Sequence, residues 1–358
     1  MNQNNFNKNR KSFNLEPRHQ WAGKAICAIP KYSDLEQPGT ERTTERSVVS
    51  RAAPMVESVP FDTAAHIASF ISLLKQATSL RETRCAFETY PLEFSLAAGI
   101  TMSDNDAPPG VWIGNPAHAT RYRGVYFHGG GYVAGSIRMY AGLVSRLAEA
   151  TRSWIFLPDT PLAPEQQFPA AHDSAIAACR YAGSEALKAA GPAATLFLAG
   201  DSCGAALAIA TAMRLRDEPK AIPLSAIVGL SPTLDMSATA DSYDRCRQTD
   251  KIVSQELTKQ CIAMYAPNAD PRDPMLSPVY GRLSGLPPML LQASEDEAVF
   301  DDSTQAASRA RQEGAHIEVQ TWPGLPHVWH LLAPLLPEAT FAIQRIGEFV
   351  RRANGDEN

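Results

Sequence analysis

Leu198-Ala-Gly-Asp-Ser-Cys-Gly204 is the stretch on which the reading of this sequence turns. The apolar run Thr195-Leu-Phe-Leu-Ala199 ends in Gly-x-Ser-x-Gly and passes into an alanine-rich stretch with helical spacing, Ala205 to Leu215. A serine raised on so tight a strand-to-helix turn needs small residues two places before and after it, because a Cβ at either position would clash. Gly200 and Gly204 meet that demand. The turn would expose the Ser202 hydroxyl at the strand end and aim the following helix N-terminus at negative charge developing beside it. Ser202 is therefore the candidate nucleophile, with Asp201 as a supporting neighbour. The same triplet also occurs as an ordinary glycine-rich turn, so the rest of the chain must supply partners.

Upstream stands Val125-Tyr-Phe-His-Gly-Gly-Gly-Tyr132, again directly after an apolar run. Successive glycines let the backbone approach a substrate oxygen and point amide donors at it. A phosphate cradle would call for GxxxxGK[ST] or GxGxxG, and neither pattern occurs here. His128 sits at the strand end beside Gly129, where a ring more often fixes the loop by hydrogen bonds than acts as a base.

Around these two motifs the chain alternates short apolar runs with helical patterns. The runs are 124–127, 154–157, 195–199, 226–230, 289–292 and 317–322. The helical patterns lie near 174–190, 205–215, 303–312 and 338–351. Such alternation predicts an α/β fold, a mostly parallel central sheet with helices on both faces and functional groups at the carboxyl ends of the strands. Residues 1–58 are polar and poor in core material, and read as a flexible segment. An amphipathic helix is expected from Phe61 to about Arg81, within a 59–100 cap region packed on the 101–358 catalytic domain. Residues 235–285, interrupted by Pro267, Pro271, Pro274 and Pro278, read as a cap-forming excursion over the sheet.

An acid and a base should follow the serine on loops after later strands. Gln292-Ala-Ser-Glu-Asp-Glu-Ala-Val-Phe-Asp-Asp302 offers five carboxylates, of which one can hold an imidazole; the others are expected to form a solvated, helix-capping cluster. Trp322-Pro-Gly-Leu-Pro-His-Val-Trp-His330 offers two histidines. His327 comes just past the turn residues and is favoured as base, whereas His330, one turn into an expected helix, reads as packing. His19, His66, His118, His172 and His316 follow no candidate strand end and read as surface or packing residues.

Composition narrows the partners. Lys and Arg number 33 against 38 Asp and Glu, a formal net charge of −5 with no charge runs, so no footprint for nucleic acid or an anionic membrane is present. Six dispersed cysteines show no zinc-ligand spacing, and neither a metal nor a cofactor is expected. The N-terminus lacks an apolar signal core and no stretch approaches the ~20 apolar residues of a membrane span, so a cytoplasmic protein is expected.

Taken together, His128-Gly-Gly-Gly131, Gly200-Asp-Ser-Cys-Gly204, Leu162-Ala-Pro-Glu165, Asp273-Pro-Met-Leu-Ser-Pro278, Leu286-Pro-Pro-Met-Leu-Leu-Gln292 and Pro323-Gly-Leu-Pro-His327 resemble the hormone-sensitive-lipase-like, or family IV, esterases of the α/β-hydrolase superfamily. The resemblance spans roughly residues 120–350. It implies an α/β-hydrolase fold with a helical cap, and hydrolysis of small carboxylic esters of short to medium acyl chain through an acyl-enzyme. It carries Ser202 over as nucleophile, His327 as base and Glu297 as acid, with Asp301 following and Asp296 as second choice. It places the oxyanion donors at the amides of Gly130, Gly131 and Cys203, and makes a homodimer an expectation. The chain departs from the family at Cys203 and Ala205, and at Thr160-Pro161, where an aromatic and a cation usually stand. An amidase, formamidase or lactonase with the same triad is the nearer rival; a silent ligand receptor of the same fold, which would lack His327, is the more distant one.

Overall fold

The computed structural model of the protein describes residues 62–91, 95–118, 122–219 and 222–356. The segment 1–58, with Cys27 and His19, lies outside the described residues. Each of the six apolar runs is a strand: β3 (Tyr122–Phe127), β4 (Trp154–Pro158), β5 (Thr195–Asp201), β6 (Leu224–Leu230), β7 (Met289–Ser294) and β8 (Ile317–Trp322). All six run parallel. Two further strands, β1 (Thr101–Asp106) and β2 (Pro109–Gly114), form a hairpin that adds antiparallel to β4, giving the order β1-β2-β4-β3-β5-β6-β7-β8. This hairpin was not expected. Its outer strand reads Thr-Met-Ser-Asp-Asn-Asp, a polar edge with little to bury, and the inner one opens Pro-Gly.

Alternation along the strands divides the core between two faces. Leu196 and Leu198 of β5 join Val125, Ile227 and Leu291 on one face; Phe197 and Ala199 join Tyr126, Val228 and Leu290 on the other. The first face is covered by α4 (Ala170–Ala190), α5 (Cys203–Arg216) and α8 (Phe300–Glu313), and the second by α3 (Ile137–Thr151) and α9 (Pro337–Ala353). Alanine dominates the buried sides of α4 and α5, which lets both helices lie close to the sheet.

Where one helix was expected from Phe61 to about Arg81, the described residues form two, α1 (Thr63–Gln76) and α2 (Leu80–Phe87). The break has a local cause. Ser79-Leu-Arg-Glu82 is a helix-starting signature: the Ser79 hydroxyl accepts from the Glu82 amide at 3.2 Å, and the Glu82 carboxylate accepts from the amide and hydroxyl of Thr78 at 2.6 and 2.7 Å. A new helix therefore starts where the apolar spacing alone ran on. The 235–285 excursion holds the one-turn α6 (Ser242–Arg245) and the longer α7 (Gln255–Tyr265), whose N-cap Ser254 accepts from Leu257 at 3.1 Å. Among the described residues no helix is long and apolar enough to cross a membrane.

Candidate active site

Strands β3, β5, β6, β7 and β8 are neighbours, so their carboxyl ends deliver five loops to one edge of the sheet. The β5 loop carries Ser202 with φ 51° and ψ −125°, a conformation costing an L-residue on the order of 1–3 kcal/mol. Tight packing enforces it. A Cβ on Gly200 would sit 2.4 Å from the Gly204 carbonyl oxygen, and one on Gly204 would sit 2.1 Å from that of Phe127. The Ser202 amide donates to the Leu230 carbonyl at 2.9 Å, tying the turn to β6. Its hydroxyl lies 3.3 Å from the Thr233 hydroxyl, and no hydrogen bond joins it to His327 in this state.

The candidate acid and base meet at the next two strand ends. His327 Nδ1 donates to Glu297 Oε2 at 2.7 Å, both side chains being buried, which leaves Nε2 as the basic nitrogen. Burial alone would lower the His327 pKa, but the hydrogen bond and charge of Glu297, with the charges of Asp250 and Asp201, raise it above the ordinary histidine value. Burial pushes the Glu297 carboxyl up and the His327 pairing pulls it partly back. The other Glu297 oxygen accepts from the Ser294 amide at 2.7 Å and the Ser231 hydroxyl at 2.8 Å. Asp296 faces elsewhere, its carboxylate accepting from the Gly324 amide at 2.5 Å. Asp301 is ion-paired to Arg245 at 2.6 Å and accepts from the Ser242 amide.

Asp302 corrects the expectation of a solvated acidic cluster. It is fully buried, one oxygen accepts from the amides of Leu234 and Asp235 at 2.7 and 3.0 Å, and burial pushes its pKa up to about 8. The loop after β6 turns its N–H groups onto the start of α8, a contact between segments too distant in sequence for spacing to show.

Across the site, Gly130 and Gly131 have φ of +102° and +63°. A Cβ on the first would strike the Ala134 carbonyl at 2.3 Å and on the second the Cys261 sulfur at 2.6 Å. The Gly129 amide is already committed, donating to Asp201 Oδ1 at 2.9 Å, while Gly130, Gly131 and the helix-starting Cys203 line the same cavity as Ser202. Asp201 is fully buried and also accepts from Tyr126 and Tyr140 hydroxyls, each at 2.8 Å; burial raises its pKa to about 6 despite those bonds. It fastens the glycine loop to the serine turn. His128 donates from Nδ1 to the Gly129 carbonyl at 2.8 Å and stacks on Tyr140, and burial lowers its pKa, so it stays a neutral loop fastener. His330 is likewise buried, contacts Gln292 at 2.9 Å and has its pKa lowered to about 3 by burial.

A cavity of about 320 Å³ opens over these groups. Its floor includes Gly130, Gly131, Ser202 and His327; Phe70, Leu80 and Phe87 wall it from α1 and α2, and Ile252, Leu257 and Ile262 from the excursion. Among the described residues its lining has no Lys, Arg or Glu, and its one Asp, Asp201, has both oxygens engaged.

Comparison with known proteins follows this geometry. The alpha/beta hydrolase fold family matches residues 124–331. An acetyl-hydrolase of Streptomyces hygroscopicus is 34% identical over 245 residues, 68% of this chain and 80% of that protein. An esterase of Acinetobacter venetianus is 31% identical over 225 residues, 63% and 73% of the two chains. The crystal structure of an esterase from the bacterial hormone-sensitive lipase family superposes with a TM-score of 0.73 at 33% identity, over 82% of this chain and 100% of that one. This chain belongs to the hormone-sensitive-lipase-like branch of the α/β hydrolases. In this hormone-sensitive-lipase-like protein the sequence reading passed over several residues around the site. Ser231, with φ 43°, donates to Glu297 and accepts from the Val328 amide at 3.0 Å, so it bridges the acid and base loops. Its place directly after β6 was the available signal. Tyr126 and Tyr140 carry none, because their partner Asp201 is 75 and 61 residues away.

Proposed function

We propose that the protein hydrolyses neutral carboxylic esters of short to medium acyl chain through an acyl-enzyme on Ser202. The 2.7 Å Glu297–His327 pair beneath a cavity that also holds Ser202 carries the reading. The Ser202 hydroxyl turns from Thr233 toward His327 Nε2, loses its proton there and attacks the ester carbonyl. The oxyanion forms against the amides of Gly130, Gly131 and Cys203 while the helix N-terminus adds a fixed positive field. His327 returns the proton to the leaving alkoxide, and water repeats the cycle on the acyl-enzyme. Residues 59–100 and 235–285 serve as a cap over the catalytic domain, and a lining with no Lys, Arg or Glu to pair with an ionised group disfavours charged esters.

The test is a rate series on p-nitrophenyl acetate, butyrate and decanoate beside an anilide and a lactone, with a fluorophosphonate label mapped to its peptide. Highest kcat/KM on the acetate or butyrate and a label on Ser202 are expected. Anilide or lactone turnover at the ester rate, or a label elsewhere, would overturn the reading.

The pH profile should follow His327. Its protonated form cannot accept the serine proton, and Glu297 favours that form, so the acid limb of kcat/KM is expected above the ordinary histidine value of 6.5. Glu297→Gln removes the negative partner and leaves burial dominant, which should move the limb to lower pH. A limb that stays in place in the Gln variant would separate the titration from His327.

A further inference from the structure

The structure assigns Arg84, on the cap helix α2, as a positioning residue for the oxyanion loop. Its Nε donates to the Val133 carbonyl at 2.7 Å and its Nη2 to the Ala163 carbonyl at 2.8 Å. The same guanidinium grips Glu165 with both Nη atoms, at 2.9 and 2.7 Å, and holds that carboxyl down at about pKa 2. Four bonds from one planar fork therefore converge on two loops.

Both loops frame the glycines. The Val133 and Ala134 amides each donate to the Gly130 carbonyl at 3.0 Å, closing the turn that contains Gly131. The Ala163 amide donates to the Tyr132 carbonyl at 2.9 Å and zips that turn to the 159–165 loop. That second loop runs Asp159-Thr-Pro-Leu-Ala-Pro-Glu165 and has no cation of its own to meet Glu165. Arg84 supplies one from 81 positions away.

Two more bonds leave the same short segment. Glu88 accepts from the hydroxyl of Ser136, the N-cap of α3, at 2.5 Å, and the Tyr90 hydroxyl donates to the His327 carbonyl at 2.6 Å. Residues 84–90 thus hold the glycine loop, the start of α3 and the histidine loop together. Arg84 reaches only backbone carbonyls and a half-exposed carboxylate and is absent from the cavity lining, so it acts through the loop rather than on substrate. Partly exposed ion pairs add little to stability, whereas donors misplaced by a fraction of an ångström slow chemistry strongly. Loss of Arg84 should therefore appear in turnover more than in folding.

The inference rests on the oxyanion role proposed for Gly130 and Gly131, and the experiment separates the two. Wild type, Arg84→Ala, Arg84→Lys and Glu165→Gln are titrated for active sites with a chromogenic phosphonate ester. Each is then assayed on p-nitrophenyl butyrate and inhibited with an alkyl trifluoromethyl ketone, which mimics the tetrahedral oxyanion. For Arg84→Ala, kcat per titrated site should fall about 10- to 100-fold, with KM changed less than about threefold. The ketone should weaken by the same factor as kcat/KM. Arg84→Lys, which keeps one charge without the fork, should fall between, and Glu165→Gln, which spares both carbonyl contacts, should lose least. Should the Ala variant fail to fold, the Lys and Gln variants carry the same comparison. Wild-type kcat per site and wild-type ketone affinity in Arg84→Ala and Arg84→Lys would overturn the assignment. A loss confined to the number of titratable sites would overturn it equally. A wild-type enzyme that takes up no phosphonate would remove the Ser202 reading, and this one with it.

Discussion

Ser202→Ala is expected to lower kcat on p-nitrophenyl butyrate by about 10,000- to 1,000,000-fold while KM changes little. The size follows from the lack of a substitute within the cavity. The adjacent Cys203 thiol is buried and its pKa pushed well up, so it carries no thiolate. Thr233 holds the hydroxyl nearest Ser202, but it sits on the loop after β6 rather than on the turn at the helix N-terminus. Residual rate should come from the oxyanion amides and the pocket alone. The variant should remain folded, since alanine meets the same backbone strain as serine at φ 51° and loses only a weak 3.3 Å contact. Steady-state rates together with circular dichroism make the check. A variant retaining even a tenth of the wild-type rate would place the nucleophile elsewhere.

Glu297→Ala should cost about 1,000- to 10,000-fold in kcat, against less than about tenfold for Asp296→Ala. The two carboxylates are adjacent in sequence and differ in what they face. Glu297 is bonded to His327 Nδ1 and in the proposed mechanism would stabilise the imidazolium formed on attack, whereas the Asp296 carboxylate holds the Gly324 amide. Removing Glu297 also strands the Ser294 amide and the Ser231 hydroxyl in the interior, so about 1–3 kcal/mol of stability should go with it. Parallel kinetics and urea unfolding of both variants decide the matter. Equal kinetic losses at the two positions, or a larger one at Asp296, would move the acid to the neighbouring residue.

Much of the frame was legible because β3 to β7 are largely buried on both faces and show as apolar runs, while the half-buried edge strand β8 still alternates Ile317 and Val319 with polar residues. The β1–β2 hairpin was not, because an edge strand such as Thr101–Asp106 buries almost nothing and its polar residues look like a loop. Helix α7 hid for the same reason: only Thr258 and Tyr265 of its residues are buried, so no apolar stripe marks it among the prolines that follow. The bond between His327 and Glu297 joins residues that motif order already set on successive strand ends. The fastenings around them came from elsewhere. Ser231, Tyr140, Tyr90 and Arg84 reach the site across 49 to 237 positions of sequence, and local spacing carries no trace of such contacts.

What Asp302 adds to the fold and what His327 needs for the proposed reaction respond to pH in opposite senses. Its raised pKa means that the folded state favours the neutral acid, so its stabilising contribution is complete below the unfolded value near 4. That contribution is lost as pH rises through about 8. In the proposed mechanism His327 must shed its proton before it can serve as base, which drives turnover the other way. The proposed reaction should therefore run fastest where the cost of burying an ionised Asp302 between the β6 loop and α8 is being felt, so what this one carboxyl adds to the fold lies on the acid side of what His327 needs.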